Sequence, residues 1–157
     1  MVSEIPRVER PILLVEDNPM DVELTLDALR EARLRTAVHV ARSGGEALDY
    51  LFGRQQYSDR KAYPLPSLVL LDLHLPGIDG YECLRQIKAA PILKRLPVVV
   101  FTSSRDDSDV VKSYDRGANS YLVKPASATE RLEIARQIHR YWLSLNLGPP
   151  LFATDQT

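Results

Sequence analysis

The stretch SLVLLDLHLPGIDG, residues 67–80, decides the fold. Leu68 to Leu71 is an unbroken aliphatic run with no polar alternation, which is how a strand buried on both faces of a parallel sheet reads. It stops on Asp72, a carboxylate at the strand's C-terminal end. Two other runs share this character: Ile12 to Val15, followed by Glu16 and Asp17, and Pro97 to Phe101, followed by Thr102. Two weaker runs, Thr36 to Val40 and Ser120 to Val123, the second followed by Lys124, lie between helical segments and bring the expected strands to five.

Helical patterns fill the gaps. Asn18 followed by Pro19 suits an N-cap and first helical position, and Val22, Leu26 and Leu29 repeat at helical spacing. Glu46 to Phe52, Tyr81 to Ala89, Asp106 to Tyr114 and Leu132 to Leu145 follow the later strands, the last opened by the capping box Ser127-Ala-Thr-Glu130. Strict alternation of strand and helix predicts a doubly wound α/β fold with a five-stranded parallel sheet, helices on both faces and the flavodoxin-like strand order 2-1-3-4-5. Gly53 to Pro66 reads as an elongated surface loop and Gly148-Pro-Pro as the start of a frayed tail. One domain over 10–146 is expected, with 1–9 and 147–157 as flexible termini. Beyond Lys124 the expectation is one helix and a tail, without a DNA-binding output domain.

Composition narrows the function classes. The 157 residues carry 20 Lys and Arg against 21 Asp and Glu, so no charge excess points to nucleic acid or a membrane surface. The single cysteine, Cys83, excludes an intrachain disulfide framework, and His39, His74 and His139 are too scattered for a zinc site. The N-terminal stretch has no apolar leader, and no run reaches the roughly 18 residues of a membrane span. A cytoplasmic protein is expected.

The chemistry lies at the strand ends. In the order 2-1-3-4-5, strands one and three are neighbours, so Asp17 and Asp72 should stand side by side, with Thr102 next along and Lys124 beyond. Glu16, Asp17 and Asp72 together cannot all ionise without compensation. A hard divalent cation, best Mg²⁺, plus Lys124 would neutralise them, with Asp17 and Asp72 as direct ligands and Glu16 acting mainly through water. Asp72 would keep an oxygen free to attack phosphorus and form an aspartyl phosphate, while the Thr102 hydroxyl and Lys124 ammonium bind the remaining phosphoryl oxygens.

Four fragments in order, LLVEDN at 13–18, LLDLHLPGIDG at 70–80, VVVFTSS at 98–104 and YLVKPA at 121–126, make the chain resemble the receiver domains of bacterial response regulators. The resemblance implies a phosphoryl group received on Asp72 from a sensor histidine kinase. Output would pass through protein contacts, and catalysis would be limited to the domain's own phosphorylation and dephosphorylation. It further implies a metal ligand in the His74 backbone carbonyl, an aromatic switch in Tyr121, control of phosphoryl lifetime by His74 and Ser104, and a cis Lys124–Pro125 bond. Within receivers, the long loop and Tyr141-Trp142 are most similar to the small regulators paired with bacterial phytochrome kinases, which implies light signalling. It also implies a homodimer through helix four, strand five and helix five, with Ile138, Tyr141, Trp142 and Leu145 on the shared face. A chemotaxis-type or other relay receiver is the alternative. An aspartate-nucleophile phosphohydrolase is disfavoured by Asp72-Leu-His74 in place of Asp-x-Asp. Cys83 reads as core, and Arg131, Arg136 and Arg140 as a solvated helix face.

Overall fold

The computed structural model describes residues 10–151. Strands β1 (Ile12–Val15), β2 (Val38–Ala41), β3 (Leu68–Leu71), β4 (Val98–Thr102) and β5 (Ser120–Val123) alternate with helices α1 (Pro19–Glu31), α2 (Gly44–Phe52), α3 (Gly80–Ala89), α4 (Asp107–Asp115) and α5 (Ala128–Arg140). All pairings are parallel, in the order β2-β1-β3-β4-β5. This is the flavodoxin-like architecture expected of the alternating pattern. The second strand begins and ends later than the run Thr36 to Val40; just ahead of it the Ala37 carbonyl accepts from Ile12 N (2.9 Å).

The helix starts follow from local chemistry. Asn18 accepts from the amides of Met20 and Asp21, Ser43 from Glu46, Asp79 from Glu82 and Ser127 from Glu130, so four helices open on a side-chain cap that satisfies their free N–H groups. α2 stops at Gly53, whose φ of 66° is the left-handed cap geometry that glycine adopts without strain.

Side chains alternate across the pleat. Leu13, Val15, Val69, Leu71, Val98 and Val100 face the larger core cluster with α2 and α3, whereas Ile12, Leu14, Leu68, Leu70 and Val99 face the cluster that includes Ile138. α1 and α5 pack together on that second face; α2, α3 and α4 pack in sequence on the first.

Two expectations change here. The segment 53–66 is no bare surface loop: it contains a 3₁₀ turn at Gln55–Tyr57, and Tyr57 is buried. Tyr57 and Tyr63 close around Tyr50 and His39, with ring centroids 4.6 to 6.2 Å apart. The last helix ends earlier than Leu145, its final turn widening into a π turn over Tyr141–Leu145 closed by Asn146 N to Tyr141 O (2.6 Å). In the tail, Leu147 is exposed and Leu151 is buried in the larger cluster. The expected termini 1–9 and the last part of 147–157, residues 152–157, lie outside the described residues.

Candidate functional site

The register brings the polar strand ends together. Val15 pairs with Leu71 and Thr102 with Val123, so Glu16 and Asp72 leave the sheet at one level and Lys124 leaves β5 one residue beyond the level of Thr102. Backbone bonds fix these turns: Asp72 N donates to Val15 O (3.1 Å), Glu16 N to Ala41 O (3.0 Å) and Lys124 N to Thr102 O (2.7 Å). Gly80 opens α3 hard against the acceptor strand; a Cβ there would lie 2.3 Å from the Asp72 carbonyl oxygen, so only glycine lets the helix start so close.

One carboxylate oxygen from each of Glu16, Asp17 and Asp72 lies within 4.8 Å of the others. Glu16 and Asp72 are buried and Asp17 is the most exposed of the three. Three hard oxygens converging at that spacing, with no thiolate or imidazole among them, fit a hard divalent cation. Lys124 Nζ reaches over the group, 2.5 Å from Glu16 Oε2, 3.2 Å from Asp21 Oδ2 and 3.3 Å from Asp72 Oδ2. Glu16 is therefore tied directly to Lys124, in addition to accepting from Asn18 N (3.0 Å). Burial raises the Glu16 carboxyl to about 7, against the pull of the Lys124 hydrogen bond. Burial works against the charge on Lys124, but its bond to Glu16 and the Asp72 charge outweigh it and raise the ammonium above its ordinary value.

The residues around Asp72 fall on two sides. His74 is exposed, and its amide donates to Asp72 Oδ1 at 3.4 Å. Thr102 is fully buried, and its hydroxyl oxygen stands 3.5 Å from the Ser104 amide. Ser104 Oγ donates to Asp109 (2.5 Å), which also accepts from the Tyr81 hydroxyl, and Tyr121 donates its hydroxyl to Ser104 O (3.0 Å). The β4–α4 turn is thus pinned to α3, α4 and β5 at once. Those two hydrogen bonds, Ser104's first, hold the Asp109 carboxyl below its ordinary value, and burial followed by the Asp109 bond pushes the Tyr81 phenol up. The Lys124–Pro125 bond is trans, unlike the cis form the resemblance implied.

Three participants escape sequence inspection. Asp21 reads as an ordinary acidic residue in the first turn of a helix, and Asp109 likewise. Arg131, expected on a solvated face, is buried: Nη1 donates to Thr25 Oγ1 (3.1 Å) and Nη2 lies 3.5 Å from Asp21 Oδ1. The available signal was its place on the stripe of Ala135 and Ile138, one turn earlier, where a solvated arginine does not belong. Arg136 and Arg140 are exposed as expected. The candidate dimer residues also divide: Ile138 is buried in the chain's own core and so cannot face a partner. Trp142 is half-buried against the same cluster, whereas Tyr141 and Leu145 are exposed.

The response regulator receiver domain family matches residues 12–136. The chain belongs to that family. It is 40% identical over 138 residues to the probable methanogenesis regulatory protein FilR2 of Methanothrix harundinacea, covering 88% of this chain and 86% of the relative. It is 39% identical over 141 residues to response regulator Rcp1 of Synechocystis, covering 90% and 92%. Among solved structures, the phosphorylated cyanobacterial phytochrome response regulator RcpA superposes with a TM-score of 0.84 at 38% identity, covering 91% of this chain and 100% of RcpA. The Mn²⁺-bound form of Rcp1 does so with a TM-score of 0.80 at 36% identity, covering 90% and 99%. No helix among the described residues is long and apolar enough to cross a membrane.

Proposed function

We propose that this receiver is a phosphorylation-driven binding switch. Asp72 accepts a phosphoryl group from a sensor histidine kinase, with Mg²⁺ held by Glu16, Asp17, Asp72 and the His74 carbonyl. The observation that carries this reading is the convergence of three carboxylates within 4.8 Å beside a single buried ammonium. A divalent cation bound there supplies charge neutralisation for the carboxylates and for an incoming phosphoryl group. Asp72 is the nucleophile, Lys124 and Thr102 bind phosphoryl oxygens, and Tyr121 carries the change outward. His74 and Ser104 flank the acceptor and set phosphoryl lifetime. Catalysis is confined to the domain's own phosphorylation and its reversal.

The likeness to Rcp1 and to the phytochrome regulator RcpA supports a bacterial phytochrome as the kinase and light as the signal. We set the receiver at 10–146, with 1–9 and 147–157 as its termini, and place the protein in the cytoplasm, where the lone buried Cys83 would stay reduced. Output runs through protein contacts, with neither nucleic acid nor membrane as a partner. A homodimer on α4, β5 and α5 is supported by exposed Val111 and Tyr114 on α4 and exposed Tyr141 and Leu145 beyond α5, with Trp142 at the margin.

Incubation with acetyl phosphate and Mg²⁺ should label the wild type, and Asp72→Asn or excess EDTA should abolish the label. Stoichiometric labelling of the mutant, or labelling indifferent to EDTA, rejects the site. Steady turnover of p-nitrophenyl phosphate would instead indicate a phosphohydrolase.

A further inference from the structure

The ammonium that faces the acceptor also contacts a carboxylate outside the metal cluster, and that carboxylate contacts an arginine on α5. Asp21 divides its two oxygens, Oδ2 toward Lys124 Nζ at 3.2 Å and Oδ1 toward Arg131 Nη2 at 3.5 Å. Arg131 is fixed on its remaining sides: Nη1 donates to Thr25 Oγ1 at 3.1 Å, and its guanidinium carbon stands 5.8 Å from the Phe101 ring centroid. Its side chain is 8% exposed, that of Lys124 7% and that of Asp21 between them 29%, so these contacts are partly shielded from solvent.

Of the three carboxylates on Lys124, Glu16 and Asp72 belong to the metal cluster and Asp21 does not. Cation binding draws on oxygens of the first two. Asp21 alone remains a dedicated partner for the lysine.

We propose that Asp21 and Arg131 are positioning residues for phosphoryl transfer: Arg131 holds Asp21, and Asp21 holds the Lys124 ammonium over Asp72, so that the first turn of α5 is mechanically part of the site. This rests on Asp72 as the acceptor and Lys124 as a phosphoryl ligand. Neither residue touches the phosphoryl group. A guanidinium fork is required because Arg131 must serve Thr25 and Asp21 through two nitrogens fixed in one plane, which a lysine cannot do.

The test is the initial rate of Asp72 labelling from acetyl phosphate at saturating Mg²⁺, measured for Asp21→Asn, Arg131→Gln, Arg131→Lys and the double variant Asp21→Asn with Arg131→Gln. Each single substitution should slow labelling about 10-fold, and the double variant should be no slower than the slower single, because the residues act in series. A through-space charge effect predicts something else: Asp21→Asn removes a negative charge and Arg131→Gln a positive one, so their rates would move in opposite directions, and Arg131→Lys would match wild type. Either pattern overturns the proposal. So does a lowered unfolding midpoint with unchanged rates, which marks Arg131 as structural only. Wild type that takes no label on Asp72 overturns both this inference and the acceptor assignment; wild type that labels on Asp72 while the variants keep its rate overturns this inference alone.

Discussion

The two faces of the sheet are built differently. On the α2/α3 side, Leu71, Leu84, Ile87 and Leu96 are essentially inaccessible, and Tyr57 and Tyr63 of the 53–66 segment join Tyr50 of α2 in a cage around His39. On the α1/α5 side many of the apolar residues, Leu26, Leu34, Ile134 and Trp142 among them, are only partly buried. A groove of about 220 Å³ opens between α1 and β2, lined by Leu26, Leu29, Leu34 and Val38. Near the site a buried arginine ties α1 to α5, beside the small aliphatic cluster of Ala28, Leu29 and Ala135. The two faces divide the labour. Dense aliphatic packing has one favourable arrangement and resists change, whereas a contact built on a hydrogen-bonded ion network over a looser interface has room for a second.

The largest effect should come from the dense face. Leu84→Ala removes a fully buried side chain from α3 and should cost roughly 3 kcal/mol in urea unfolding, whereas Ile134→Ala on α5 should cost about 1 kcal/mol. Equal losses would erase the contrast between the faces.

Response should run the other way. Trp142 is the sole tryptophan and packs against the α1/α5 cluster, so its emission reports on that face alone. Beryllofluoride with Mg²⁺ should change Trp142 fluorescence and amide exchange in α5, while exchange in α3 stays at the wild-type level. A change confined to α3 would assign the moving part to the wrong face.

The smallest effect is a pH dependence inside the tyrosine cage. Burial lowers the His39 pKa from its ordinary 6.5, and its Nε2 lies 3.3 Å from the Tyr57 hydroxyl, which itself donates to Glu46 (2.8 Å). Below 6.5 the unfolded chain takes up the proton before the folded one, so stability is complete above that value and declines as pH falls through it toward the depressed folded pKa. The thermal midpoint should drop between pH 7 and pH 5.5 in wild type, and His39→Gln should flatten that slope. An identical slope in the variant would remove His39 as the cause.

Strand order, the family and the positions of Glu16, Asp17, Asp72, Thr102 and Lys124 were legible because each rests on a local signal. A continuous aliphatic run marks a doubly covered strand, and in a parallel sheet every strand delivers its next residue to the same edge. The helix caps were legible for the same reason, since a cap bonds within three residues of itself. Ile138 and Tyr141 illustrate where this ends. They lie three apart on one stripe, yet one is buried in the core and the other is exposed where α5 gives way to the π turn. Local pattern along the chain is enough for the elements, their order and the side chains at the strand ends. It takes the folded chain to bring Asp21 and Arg131 to the site, to bond Glu16 directly to Lys124, and to close Tyr50, Tyr57 and Tyr63 over His39. Those pairings join residues from 11 to more than 100 positions apart through side-chain reach and packing, which no spacing along the chain encodes.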